Sequence, residues 1–236
     1  MTRAAGACAL LALAAPGLAM VTPQAPAPTA STAATAATAA PIVWTVDNLT
    51  RIGGHTVTVV GAPRVVDAPG GRAVAFDGAR DGLILDANPL AGLARFTVEV
   101  VFEPASDGGE EQRFVHFEEA GSSNRALIEL RLAAATWSLD TYLRHGEIGL
   151  TLLDRSITHP AAGWHAVALT YDGKTMAHFV NRRRELAGEV AFKTIGAGKT
   201  SIGVRQNLVS FFKGRIRVIR VTPDVLAPAA MLEPPR

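Results

Sequence analysis

Cysteine is almost missing from this 236-residue chain: the only one is Cys8, and nothing beyond residue 41 carries a thiol. Disulfides, thiolate-bound zinc and thiol nucleophiles are therefore excluded from the larger part of the molecule. An excess of one charge is missing too. All 21 acidic residues and all but one of the 23 basic residues lie beyond residue 41, so that part is close to neutral. Such a balance offers no electrostatic footprint for nucleic acid. Long apolar runs are scarce. The stretch Ala7 to Ala15 is interrupted by Pro16-Gly17 and is too short for a membrane span. No phosphate loop, dinucleotide fingerprint, serine nucleophile elbow or His-rich metal motif is present.

What is present divides into three parts. Residues 1–19 read as a secretory signal: Arg3 supplies the positive start, Ala7 to Ala15 the apolar run, and Gly17-Leu18-Ala19 small residues at the cleavage positions. The expected location is secreted, periplasmic or cell-surface, with no transmembrane segment after signal cleavage. Residues 20–41 hold nine Ala, five Thr and four Pro in 22 positions and no charge. Such a composition cannot offset the entropy of ordering, and a disordered linker is expected. Residues 42–236 are expected to be one globular domain.

In that domain the hydrophobic period is two. Phe96, Val98, Val100 and Phe102 alternate with Thr97, Glu99, Val101 and Glu103, and Pro104 closes the run. Ala126 to Leu132, Trp137 to Arg144, Glu147 to Leu153 and His165 to Tyr171 repeat the pattern. Turn signals such as Asp77-Gly78, His145-Gly146, Asp172-Gly173 and Lys213-Gly214 separate the runs. About a dozen short strands without amphipathic helices predict an all-β, two-sheet antiparallel sandwich. Broken alternation at Val218-Ile219 predicts a bulge or a strand buried on both faces.

Phe76-Asp77-Gly78 with Asp81, Phe96-Thr97-Val98-Glu99, Gly163-Trp164-His165 running to Tyr171-Asp172-Gly173, Thr200-Ser201-Ile202-Gly203 and Gly214-Arg215-Ile216 resemble a laminin-G-like jelly roll. That branch belongs to the concanavalin A-like lectin/glucanase superfamily. The resemblance covers roughly residues 42–226 and implies a curved sandwich whose concave sheet often binds carbohydrate, sometimes through calcium. It marks a fold and not an activity.

Three sets of residues carry chemistry. Glu99 and Glu103 share one strand face, but their Cα atoms lie roughly 13 Å apart at about 3.3 Å per residue. The resemblance implies an acidic residue between them in a glucanase, and Val101 stands there. A solvated strand face is the plainer reading. Asp47, Asn48, Asp77 and Asp81 offer oxygens near turns for calcium, against the alternative that they cap their own turns. The third set is a polar row: Glu129, Arg131, Asp140, Tyr142, Arg144, Glu147 and Thr151 all alternate away from the apolar face, and His116 is a candidate to join them. Charged groups and hydroxyls beside an aromatic suit a sugar, which presents hydroxyls and an apolar face. The competing reading is a sheet face laced by cross-strand ion pairs. Arg125, Glu129, Arg131, His116, Gln112 and Tyr142 also resemble the groups of jelly-roll polysaccharide lyases, without the lyases' contiguous motifs.

The sequence thus points to a secreted, non-catalytic domain binding carbohydrate or a glycosylated surface through Glu129, Arg131, Asp140, Tyr142, Arg144 and His116. No catalytic residue, resident metal or cofactor is assigned. A glycan-active hydrolase or polysaccharide lyase on the same sheet is the alternative, and a structural adhesion module is a third reading.

Overall fold

A computed structural model describes residues 40–235. The expected signal segment 1–19 and the linker up to residue 39 lie outside the described residues.

The first strands are β1 (Ile42–Thr45), β2 (Arg51–Ile52), β3 (His55–Val60), β4 (Arg64–Ala68), β5 (Gly71–Asp77) and β6 (Gly82–Leu85). The long central ones are β7 (Phe96–Pro104), β8 (Glu111–Glu119), β9 (Arg125–Ala133) and β10 (Thr136–His145). They are followed by β11 (Ile148–Leu153), β12 (His159–Pro160), β13 (His165–Tyr171), β14 (Thr175–Val180) and β15 (Arg183–Glu189). The last two are β16 (Gly198–Ile202) and β17 (Lys213–Thr222), before a short 3₁₀ turn at Pro228–Ala230. No α-helix occurs among the described residues.

Two antiparallel sheets form. One runs β15-β14-β13-β7-β17-β5-β4, with β1 also paired to β17; the other runs β11-β10-β9-β8-β16-β6-β3-β2, with β12 beside β10. This is the expected sandwich. Alternation decides which face of each strand is covered. Val98, Val100 and Phe102 of β7 point inward against Phe114 of β8, Ile128 and Leu130 of β9 and Trp137 of β10, all buried in one core. Phe102 stacks on Phe114 at 4.5 Å between ring centroids and meets Trp137 edge-on at 5.3 Å, tying the sheets together. The expected bulge in β17 is present, as a register shift between Ile216 and Val218.

The same alternation sends Thr97 and Glu99 to the outer face of the β7 sheet, where residues 223–233 lie across them. The Asp224 carbonyl accepts from Thr97 Oγ1 at 2.8 Å, and Leu226 N–H donates back to that oxygen at 2.9 Å. Glu99 is buried, ion-paired to Arg220, and accepts the Leu232 N–H. Met231 completes the cover by packing on Ala168, Ala177 and Phe179. Glu103 pairs with Arg215. Both glutamates of β7 therefore do structural work, on the sheet opposite the polar row.

Candidate functional site

The polar row is assembled by strand register on the outer face of the other sheet. Arg113 stands opposite Glu129, and Glu129 opposite Asp140. One pair along, Glu111 faces Arg131; on the other side, Leu127 faces Tyr142, and Tyr142 faces Thr151. Together Arg113, Arg125, Leu127, Glu129, Arg131, Asp140, Tyr142, Thr151 and Arg205 line a cleft of about 190 Å³.

Its floor is a closed network. Arg131 Nε donates to Asp140 Oδ2 at 2.7 Å, its Nη2 lies 3.4 Å from Glu129 Oε2, and its Nη1 meets Glu111. Arg113 Nε donates to Glu129 Oε1 at 3.0 Å, and its Nη1 reaches both Glu111 and Ser210. The side chains of Glu129 and Asp140 are only 4% and 2% exposed, which decides the electrostatics. Burial, reinforced by the neighbouring Asp140 carboxylate, pushes the Glu129 carboxyl up to about 7 against the pull of Arg113 and Arg131. Burial also raises Asp140, the cation Arg131 offsetting it only in part. Glu111 is less enclosed, and although burial opposes it, hydrogen bonding to Arg131 and the charges of Arg113 and Arg131 hold it below the ordinary range. Near neutral pH the Glu129 carboxyl is therefore partly protonated, while Glu111 is ionised.

The wall at the other end is cationic. Tyr142 lies half-buried across Gly149, where a Cβ would come within 2.5 Å of the phenol oxygen, so the ring position depends on that glycine. The Arg125 guanidinium sits over the Tyr142 ring, 5.1 Å from its centroid. Burial, then repulsion from Arg205, lowers the Arg125 pKa. Tyr142 is thus part of a Tyr–Arg platform and not the open stacking surface that the sequence alone suggests.

The structure brings Glu129, Arg131, Asp140 and Tyr142 into the cleft. Arg144 shares the face but sits outside the lining; its Nε donates to the Gly146 carbonyl at 2.8 Å. Glu147 belongs to the turn before β11 and is exposed. His116 is on the same face yet is 1% exposed, beneath the Gln206 backbone, whose N–H donates to Nδ1 at 3.2 Å. Its Nε2 lies 3.2 Å from Glu118 Oε2 without a well-formed hydrogen bond. Desolvation lowers its pKa. His116 is buried architecture. Gln112 is also buried, bonding Gly109 and Lys213 backbone atoms, so the lyase-like set does not meet in one place.

The calcium candidates do not fit the ion. Asp77 Oδ1 accepts the N–H groups of Ala79, Arg80 and Asp81 at 2.9–3.1 Å, and Asp81 Oδ1 accepts that of Ala62 at 2.8 Å. Asn48 Oδ1 is used by Thr50 and Arg51. Asp47 Oδ1 accepts from Asn48 Nδ2 at 2.8 Å, so each candidate side chain already has a protein donor. Among the described residues no cluster of three or more His, Asp or Glu side chains suits a metal.

A second titratable cluster joins the sheets at their edge. Thr141 of β10 hydrogen-bonds His178 Nδ1 of β14 at 3.0 Å. Glu185 of β15 reaches His159 Nε2 at 2.6 Å and lies 3.8 Å from His178 Nε2. Desolvation drives the buried His178 down to about 4, in spite of Glu185.

Residues 77–230 match the laminin-G-like model of the concanavalin A-like lectin/glucanases superfamily. The chain belongs to this family. No curated protein matches the laminin-G-like chain. Among solved structures it is similar to domain 4 of AbnA, a GH43 extracellular arabinanase from Geobacillus stearothermophilus, in complex with arabinotriose. The TM-score is 0.60 and the identity 18%, over 80% of this chain and 94% of that one. It also resembles the SAP-like pentraxin of Limulus polyphemus, at TM-score 0.54 and 16% identity, over 66% and 77% of the two chains. The binding domain of botulinum neurotoxin serotype D matches at TM-score 0.59 and 10% identity over 80% of this chain, which spans about half of that one, 49%. At such identities the likeness is one of fold.

Proposed function

We propose that this laminin-G-like domain is a secreted or surface-displayed carbohydrate-binding module that holds a glycan in the cleft between Tyr142 and Arg131. The observation that carries the reading is the cleft itself: a half-buried aromatic, guanidinium donors and the Thr151 position converge on one outer sheet face. Donors held in place by a carboxylate network meet sugar hydroxyls without reorganising. Two similar folds, the arabinanase domain with arabinotriose and a botulinum neurotoxin binding domain in complex with SialylT, give the reading support by analogy.

A glycan array probed with the full chain tests it. Retention of a defined oligosaccharide is the expected result, and failure to retain any glycan across neutral and acidic classes removes the reading. On the retained glycan, Tyr142→Ala is expected to weaken binding by about 1–3 kcal/mol, as loss of an aromatic platform does. It also removes the support beneath Arg125. Tyr142→Phe keeps that platform and is expected to lose much less, as titration calorimetry of the two variants would show.

One observation favours a glycosidase as second reading: Glu129 and Asp140 face each other across β9 and β10, and Glu129 holds its proton to about 7. Both carboxyls are, however, tied into the arginine network. Turnover of a retained glycan that falls at least a hundredfold in Glu129→Gln, with binding unchanged, selects the enzyme.

A further inference from the structure

The charges of the cleft are not balanced evenly. Its acidic groups are all committed at one end: Glu129 and Asp140 to Arg113 and Arg131, with Glu111 bridging the same two cations. At the other end stand Arg125 and Arg205, and among the described residues neither forms an ion pair. The nearest acid on the facing strand, Glu118, lies opposite Arg125 in register but is turned to His116. Arg125 spends one nitrogen on the Ser123 carbonyl at 2.9 Å, while its Nε is buried without a hydrogen-bond partner. Arg205, in the loop after β16, makes no side-chain hydrogen bond among the described residues. Two like charges held together beside a low-exposure wall repel, and Arg125 carries an unmet donor as well. The repulsion falls when an anion enters, because a carboxylate or sulfate offers acceptor oxygens to both guanidinium groups.

We propose that the cleft recognises an acidic glycan, the carboxylate of a uronic acid or a sulfate ester seating between Arg125 and Arg205 while the sugar ring rests beside Tyr142. This rests on the carbohydrate-binding reading and specifies its ligand class. The shared chemistry is a planar or tetrahedral oxyanion on a pyranose. A neutral sugar leaves the two arginines with only the partial compensation of Glu118 and is the poorer ligand.

The test uses the full chain and four probes: an oligogalacturonate, the same oligomer with its carboxyls reduced to alcohols, a sulfated oligosaccharide, and the desulfated form of that oligosaccharide. At least one acidic probe is expected to bind tenfold or more tightly than its neutral counterpart, and which one does so separates carboxylate from sulfate. In Arg205→Ala that preference should shrink to within about threefold, with the thermal unfolding midpoint unchanged. Arg184→Ala, exposed on the edge strand β15 of the other sheet, should keep the preference. Equal affinity for acidic and neutral forms overturns the inference and leaves a neutral-glycan module standing. Binding to none of the four, and to nothing on the array, overturns both. A preference lost in Arg184→Ala but kept in Arg205→Ala also overturns the inference, since it assigns the acidic glycan to the edge strand β15.

Discussion

Replacing Arg131 by Met is expected to destabilise the protein by about 3–5 kcal/mol at pH 8, the loss seen when one partner of a buried ionic network is removed. Arg131 contacts Glu111, Glu129 and Asp140, and its side chain is 15% exposed. Without it, only Arg113 stands against three clustered carboxylates. Protons can substitute for the missing cation, because burial already raises Glu129 and Asp140. The variant's deficit should therefore narrow markedly at pH 5. Urea unfolding at the two pH values measures both terms. A deficit under 1 kcal/mol at pH 8, or one that grows on acidification, contradicts the network as described.

The second large effect concerns two titrations of opposite sign. Glu129 has its pKa raised from 4.5 to about 7 by folding, so the protonated form contributes stability below 4.5 that is lost as pH rises through 7. His178 is lowered from 6.5 to about 4, so its neutral form contributes stability above 6.5 that is lost as pH falls toward 4. Burial lowers His116 and His165 in the same direction as His178. Between pH 7 and 4.5 the Glu129 and histidine contributions oppose each other, and the wild-type profile should be shallow. Glu129→Gln removes one side of that balance. The variant is expected to lose about 2–3 kcal/mol more stability than wild type on going from pH 7 to pH 4.5. Parallel profiles for the two proteins would show that Glu129 does not hold its proton near neutrality.

The periodicity of β7, β9, β10, β11 and β13 was legible because each runs regularly between turn signals, and that regularity also placed Glu129, Arg131, Asp140, Tyr142 and Arg144 on one face. Two cleft residues were hidden for identifiable reasons. The register of β8 shifts between Arg113 and Val115, so that Arg113 and His116 both face outward although three positions apart. Counting by twos from Gln112 puts His116 on the wrong side. Arg205 comes from a loop bent by positive φ at Leu208 and Ser210, for which no periodic signal exists. The roles of Glu99 and Glu103 turn on long-range pairing: alternation set their face, but only the return of residues 223–233 decided that the face is covered. His116 does face outward, but its burial beneath Gln206 is decided by a distant segment.

The path of residues 223–233 also settles how the domain can be held. β1 leads into the sheet that contains β7 and β17, and the closing segment lies on that sheet's outer face, with Arg182 Nε donating to the Met231 carbonyl at 2.7 Å. The Tyr142 cleft opens from the opposite face of the sandwich. Attachment through the segment after β17 therefore grips the domain by its back. A bead, a sensor chip or a fused neighbour coupled there leaves the cleft turned outward, so immobilised protein should retain the ligand capacity that it has in solution.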